Sequence, residues 1–160
     1  MLRFLALAAA FAAAGCLPAG GRQGGAAMDT AQYKKIAEAD VLNVGPERLE
    51  EKLSYYAEDA RVWDSVMRVM GFSESNTVVG IREVRRFFTW LASLPPVTVR
   101  IVNVFGEGNK VAVEWILAGG EGAGKFEIPC ANLYDFENGK IKSVRMQFDS
   151  AAFAAIVGKK

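Results

Sequence analysis

The stretch "KFEIPCANLYDFENGKIKSVRMQFD", residues 125–149, alternates apolar and polar side chains on both sides of Asn138-Gly139. Side chains two apart in a strand share a face. Phe126, Ile128, Cys130, Asn132, Tyr134 and Phe136 therefore form one largely apolar face, interrupted by the amide of Asn132. An Asn-Gly pair between two such runs is the strongest short-range signal for a tight hairpin. The same period runs upstream through "VTVRIVNVF" (97–105) and "KVAVEWILA" (110–118), with glycine-rich turns "GEGN" and "GGEGAG" after them. The spacing predicts a four-strand meander over 97–148.

Before the meander the period changes. "TAQYKKIAEADVLN" (30–43) places Tyr33, Ile36, Ala37 and Val41 on one helical stripe, and Gly45-Pro46 ends it. "ERLEEKLSYYA" (47–57) repeats the pattern with Leu49, Leu53 and Tyr56. "EDA" reads as a turn into the strand "EDARVWDSV" (58–66). There Val62 and Val66 share a face with a carboxylate, Asp64, between them. After the loop "MRVMGFSESN", a third helix over 80–94 carries Ile81, Val84, Phe88 and Leu91, and Pro95-Pro96 stops it. Helices followed by a meander make an α+β domain. The expectation is a cone-like, strongly curved antiparallel sheet with about three helices packed on its concave face, enclosing a pocket.

Half of the 160 residues are apolar and the net charge is +1, which fits one packed domain and gives no argument for nucleic-acid binding. The chain has no histidine. That removes Ser-His-Asp and Cys-His nucleophilic catalysis and the usual catalytic zinc sites. No metal or cofactor is expected. Acid–base chemistry falls to carboxylates, tyrosines, lysines or Cys130.

"MLRFLALAAAFAAAGC" has one positive residue, an apolar run and then small residues, the layout of a secretory signal over residues 1–15. "AAGC" is similar to a bacterial lipobox, with Cys16 as the residue to be lipidated and Ala13 where leucine is usual. Cleavage after Ala14, or a start at Met28, are the rival readings. Residues 16–29, "CLPAGGRQGGAAMD", read as a glycine-rich tether. The expectation is an exported protein, in the bacterial periplasm or anchored to a membrane by lipid.

"YYAEDARVWDSV", "GIREVRRFF" and "CANLYDFENGKIKSVRMQFD" together resemble the SnoaL-like and ketosteroid-isomerase-like branch of the nuclear transport factor 2 superfamily, over residues 30–160. The resemblance implies a pocket fold that hosts isomerases, cyclases, hydrolases and non-enzymatic binders. It puts Asp64 where the isomerase has its general base, and Asn132 where the isomerase has a protonated aspartic acid in its oxyanion hole. Glu38 falls near the position of the isomerase's oxyanion tyrosine, which has no clear counterpart. The Asp-Arg-Asp set of limonene-epoxide hydrolase would fall on Trp115, Leu117 and Met146, which argues against epoxide hydrolysis. Met146 also occupies the neighbourhood of the cyclase base.

The residues themselves leave alternatives. Asp64 is a pocket base raised in pKa by desolvation, or it caps a turn, or it pairs with an arginine such as Arg145. Asn132 contacts a ligand, or it bonds backbone or water within the core. Cys130 reads as a small core residue that no histidine activates. Val62, Met67, Trp115, Cys130, Tyr134, Met146 and Phe148 are the expected pocket lining. "GGEGAGK" (119–125) spells a phosphate loop but joins two strands and is followed by Phe126, so it is a turn. Two functions follow: a domain that binds a small apolar ligand, or an isomerase- or cyclase-type enzyme with Asp64 as base on a carbonyl compound. The resemblance also implies a possible homodimer through the outer sheet face, which the residues themselves do not decide.

Overall fold

The computed structural model describes residues 28–157. The expected signal segment and Cys16 lie outside these residues. Helix α1 (Thr30–Leu42) starts at Asp29. The Asp29 carboxylate accepts the Gln32 N–H at 2.8 Å, and the Gln32 side chain accepts the Asp29 N–H at 2.9 Å. This reciprocal cap satisfies donors that a helix start leaves open. Buried Tyr33, Ala37 and Val41 turn α1 toward β3 (Val97–Glu107) and β4 (Lys110–Gly119).

A 3-10 turn (Pro46–Arg48) leads into α2 (Leu49–Ser54), which is shorter than the sequence pattern suggests. Tyr56 leaves the helix and begins β1 (Tyr56–Asp64). Where the sequence shows an "EDA" turn, β1 instead carries a bulge: its register slips between Tyr56↔Ile141 and Arg61↔Ser143. The segment after β1 forms a short helix α3 (Val66–Val69) and an edge strand β2 (Thr77–Val79), neither visible in the side-chain pattern. Helix α4 (Ile81–Ala92) follows Gly80, and buries Val84, Phe87 and Phe88. The meander continues through β5 (Phe126–Glu137) and β6 (Lys140–Phe148) to α5 (Ser150–Val157).

The strands form one sheet in the order β2-β1-β6-β5-β4-β3. Two expectations are corrected here. The sheet is mixed, because β1 runs parallel to β6 while the other neighbours are antiparallel. It is also open, with β2 and β3 as unpaired edges, so it is neither a cone nor a closed barrel. Alternation of side chains marks a strand and its faces; it carries no information about which strand lies alongside or in which direction. The enclosing walls come from helices: α1 over β3 and β4, α4 over β1, and α2 against α4.

The β5–β6 hairpin turns at Asn138 (φ 51°) and Gly139 (φ 79°), the left-handed pair that this turn needs. A Cβ at residue 139 would also stand 3.0 Å from the sulfur of Met28. Gly139→Ala is expected to lower unfolding free energy by about 1 kcal/mol in a urea titration. Unchanged stability would contradict this turn.

Candidate active site

The β-sheet register sets three residues in one row. Asp64 on β1 pairs with Met146 on β6, and Met146 pairs with Asn132 on β5. Adjacent strands are about 4.8 Å apart, so Asp64 and Asn132 are about 10 Å apart at the backbone with Met146 between them. All three are buried and line one cavity of about 120 Å³. Val41, Leu49 and Lys52 close it from α1 and α2, Phe88 and Leu91 from α4, Trp115 and Leu117 from β4, and Phe148 and Phe153 from the C-terminal end.

Asp64 is 1% exposed. One carboxylate oxygen accepts the Val66 N–H at 2.8 Å, a local turn that ends β1. Its other oxygen makes no hydrogen bond among the described residues, and no salt bridge reaches the carboxylate there. Arg145, considered from sequence as a partner, lies instead over the Trp63 ring at 5.9 Å. Desolvation without a compensating cation pushes Asp64 up to about 7, against the smaller opposing effect of the Val66 N–H.

Asn132 is oriented by a chain of hydrogen bonds. The Trp115 indole can only donate, and it donates to Asn132 Oδ1 at 3.1 Å. The amide nitrogen must then face the other way, where it donates to the Tyr134 hydroxyl at 2.9 Å. Tyr134 in turn donates to Asp40 Oδ2 at 2.8 Å. With one N–H given to Tyr134 and one lone pair of Oδ1 filled by Trp115, the second N–H of Asn132 is left as an open donor beside the remaining lone pair. Asn132 is thus set to donate.

The chain ends at a buried charge. Asp40, fully buried on α1, also accepts the Tyr56 hydroxyl at 3.0 Å and pairs with Lys52 Nζ at 2.9 Å. Lys52 bonds the Asp40 carbonyl as well and sits 4.6 Å from the centre of the Phe88 ring. Burial, then the neighbouring Asp40 charge, hold both tyrosines well above their ordinary pKa. They stay protonated donors.

Of the residues expected from sequence, Asp64, Asn132, Trp115, Met146 and Phe148 line the cavity. Val62 and Met67 are wholly buried and do not line it, and Tyr134 is buried in the hydrogen-bond chain. Cys130 is buried too; its thiol donates to the Ile128 carbonyl at 3.3 Å, and desolvation pushes it up to about 12, which removes it as a nucleophile. Glu38 takes no part, and Asp40, two residues on, is the buried acid of α1. Asp40 and Lys52 were missed, although each falls on an apolar helical stripe: Asp40 beside Ala37 and Val41, Lys52 between Leu49 and Tyr56.

The SnoaL-like domain family matches residues 40–144. Among curated proteins no sequence matches the chain. Solved structures with the same fold include an NTF2-like protein of unknown function from Burkholderia pseudomallei, 17% identical, with a TM-score of 0.67, covering 79% of this chain and 97% of that one. A hypothetical protein with a ketosteroid isomerase-like fold from Catenulispora acidiphila, in complex with trimethylamine, is 17% identical (TM-score 0.63), covering 78% and 92%. An LEH-like epoxide hydrolase from M. tuberculosis is 18% identical (TM-score 0.61), covering 81% and 92%. At such identities the likeness is one of fold.

Two outcomes follow from these charges. Folded Asp64 keeps its proton up to about pH 7, whereas the unfolded chain loses it near 3.8. Stability therefore falls as pH rises from about 4 to about 7, by a total on the order of 4 kcal/mol, and is level above. Asp64→Asn is expected to raise the melting temperature at pH 8, with the gain shrinking at pH 5; a loss at both pH values would contradict an uncompensated charge. Lys52→Met leaves Asp40 as an unneutralised buried carboxylate and is expected to cost about 3 kcal/mol in denaturant unfolding. A neutral effect would show that the pair carries no such constraint.

Proposed function

The chain belongs to the SnoaL-like domain family, and within its apolar pocket we propose that Asp64 and Asn132 carry out proton transfer beside the carbonyl of a small, largely apolar compound. One observation carries this reading. A buried carboxylate with no cationic partner among the described residues and an amide with an open N–H donor line one cavity, two strands apart. A general base works best with a pKa near the working pH, where Asp64 stands.

In this mechanism the free Asp64 oxygen removes a proton from the carbon next to the carbonyl. The electron pair moves onto the carbonyl oxygen, and the second Asn132 N–H donates to that oxygen as charge develops. Protonated Asp64 then returns the proton to the same carbon or to a conjugated one, which makes the net reaction an exchange or an isomerisation. Met146 forms the apolar floor between the two groups. Epoxide opening has no support here, since Trp115, Leu117 and Met146 supply no acid or arginine on that wall. Asp40 does not act as a second base. Lys52 and both tyrosines engage its two oxygens, and it works as a positioning residue for Asn132 through Tyr134.

The reading is tested by deuterium uptake at the carbon beside the carbonyl of cyclohexanone in D2O, followed by NMR. The protein is expected to accelerate uptake, with the rate rising about tenfold per pH unit below pH 7 and levelling above it. Asp64→Asn is expected to lose at least 100-fold. Asn132→Ala is expected to lose about 100-fold with a smaller change in KM. Equal uptake by wild type and Asp64→Asn would leave a pocket that binds a small ligand without turning it over.

A further inference from the structure

The cavity wall contributed by the C-terminal helix differs from the others in how it is held. Helix α5 is only eight residues, "SAAFAAIV", too short to persist on its own. Its start is fixed by Asp149, which accepts the Ala152 N–H at 2.9 Å through its side chain and the Phe153 N–H at 3.0 Å through its backbone. Against the body of the domain it leans on α3, and its large side chain is Phe153. Phe153 is 5% exposed, lines the cavity, and meets Phe148 edge-on with ring centres 5.5 Å apart.

The volume gives the scale. A cavity of about 120 Å³ is close to the engineered cavity of about 150 Å³ in T4 lysozyme that takes a single benzene ring. A second fused ring exceeds this space. Phe153 shares the buried core with the sheet row and with helices α1 and α4, but α1 and α4 pack directly on the sheet, whereas α5 leans on the four-residue helix α3. Phe153 is the wall residue on the least anchored element. We infer that Phe153 sets the ligand size of this site, restricting it to single-ring or smaller compounds, and that removing its ring extends the cavity toward α3 to admit two-ring compounds. This inference rests on the reading of the cavity as a carbonyl-compound site and names its substrate class.

The test measures binding in the Asp64→Asn form of the full chain, so that no turnover is needed and a failure here is separate from a failure of the exchange assay. Affinities for cyclohexanone and for the two-ring ketone 1-tetralone are read from chemical-shift titrations, with Phe153→Ala and the milder Phe153→Leu added. The Asp64→Asn protein is expected to take cyclohexanone and to bind 1-tetralone at least tenfold more weakly. Phe153→Ala is expected to strengthen 1-tetralone binding at least tenfold, and Phe153→Leu by less, with cyclohexanone unchanged or weaker in both. Folding of each variant is checked by its melting curve, and Phe153→Leu serves if Phe153→Ala does not fold. Equal affinity for the two ketones before Phe153 is changed would overturn the inference. So would the absence of any gain for 1-tetralone in a folded variant, or a failure to bind cyclohexanone at all.

Discussion

The carboxylate of Asp40 is the point on which the structure turns. A charge with no exposure must collect its partners from the chain around it, because water is not there to supply them. Asp40 draws Lys52 from α2, Tyr56 from β1 and Tyr134 from β5 onto one residue of α1. Those bonds tie α1 to α2 and to the sheet, alongside the apolar packing of Tyr33, Ala37 and Val41. They also fix the direction of a hydrogen-bond chain ending at the cavity, since Tyr134 spends its proton on Asp40 and must accept from Asn132.

The second buried acid shows the opposite solution. Asp64 sits on the sheet row that holds Asn132, yet among the described residues only the Val66 N–H offsets its burial. The two carboxylates are equally hidden and differ in their partners. Asp40 is neutralised by Lys52 and contributes order; Asp64 has no cation beside it among the described residues, at a cost in stability, and is the base of the proposed reaction. The division places the proposed base on a strand end, where a turn holds one carboxylate oxygen and leaves the second without a partner among the described residues.

Much of this was legible in the sequence. The Asn138-Gly139 hairpin, the meander and helices α1, α2 and α4 follow from period and punctuation, although α2 is shorter than its pattern, and Asp64 and Asn132 stood out as polar residues on apolar faces. The parallel pairing of β1 with β6 and the open sheet were not legible, since alternation of side chains is blind to neighbours and to direction. The short α3 and β2 carry too few residues to show a period. Asp40 and Lys52 broke their helical stripes in the same way that Asp64 broke its strand. They went unread because a long lysine and a helix-end aspartate ordinarily reach solvent, and only the packing of α1 against α2 shuts them in. Phe153 lies on a helix whose residues are apolar all round, so nothing local says which of its faces meets a cavity.

The central claim is that Asp64 is a buried carboxylate without a charge partner. Its titration can be followed directly by 13C NMR of the aspartate side-chain carbonyls in the wild-type chain, with Asp64→Asn used to assign the signal. A midpoint near 7 is the expected result. A midpoint near 4, the ordinary value for an aspartate, would mean that water or a cation reaches the carboxylate, and would contradict the account.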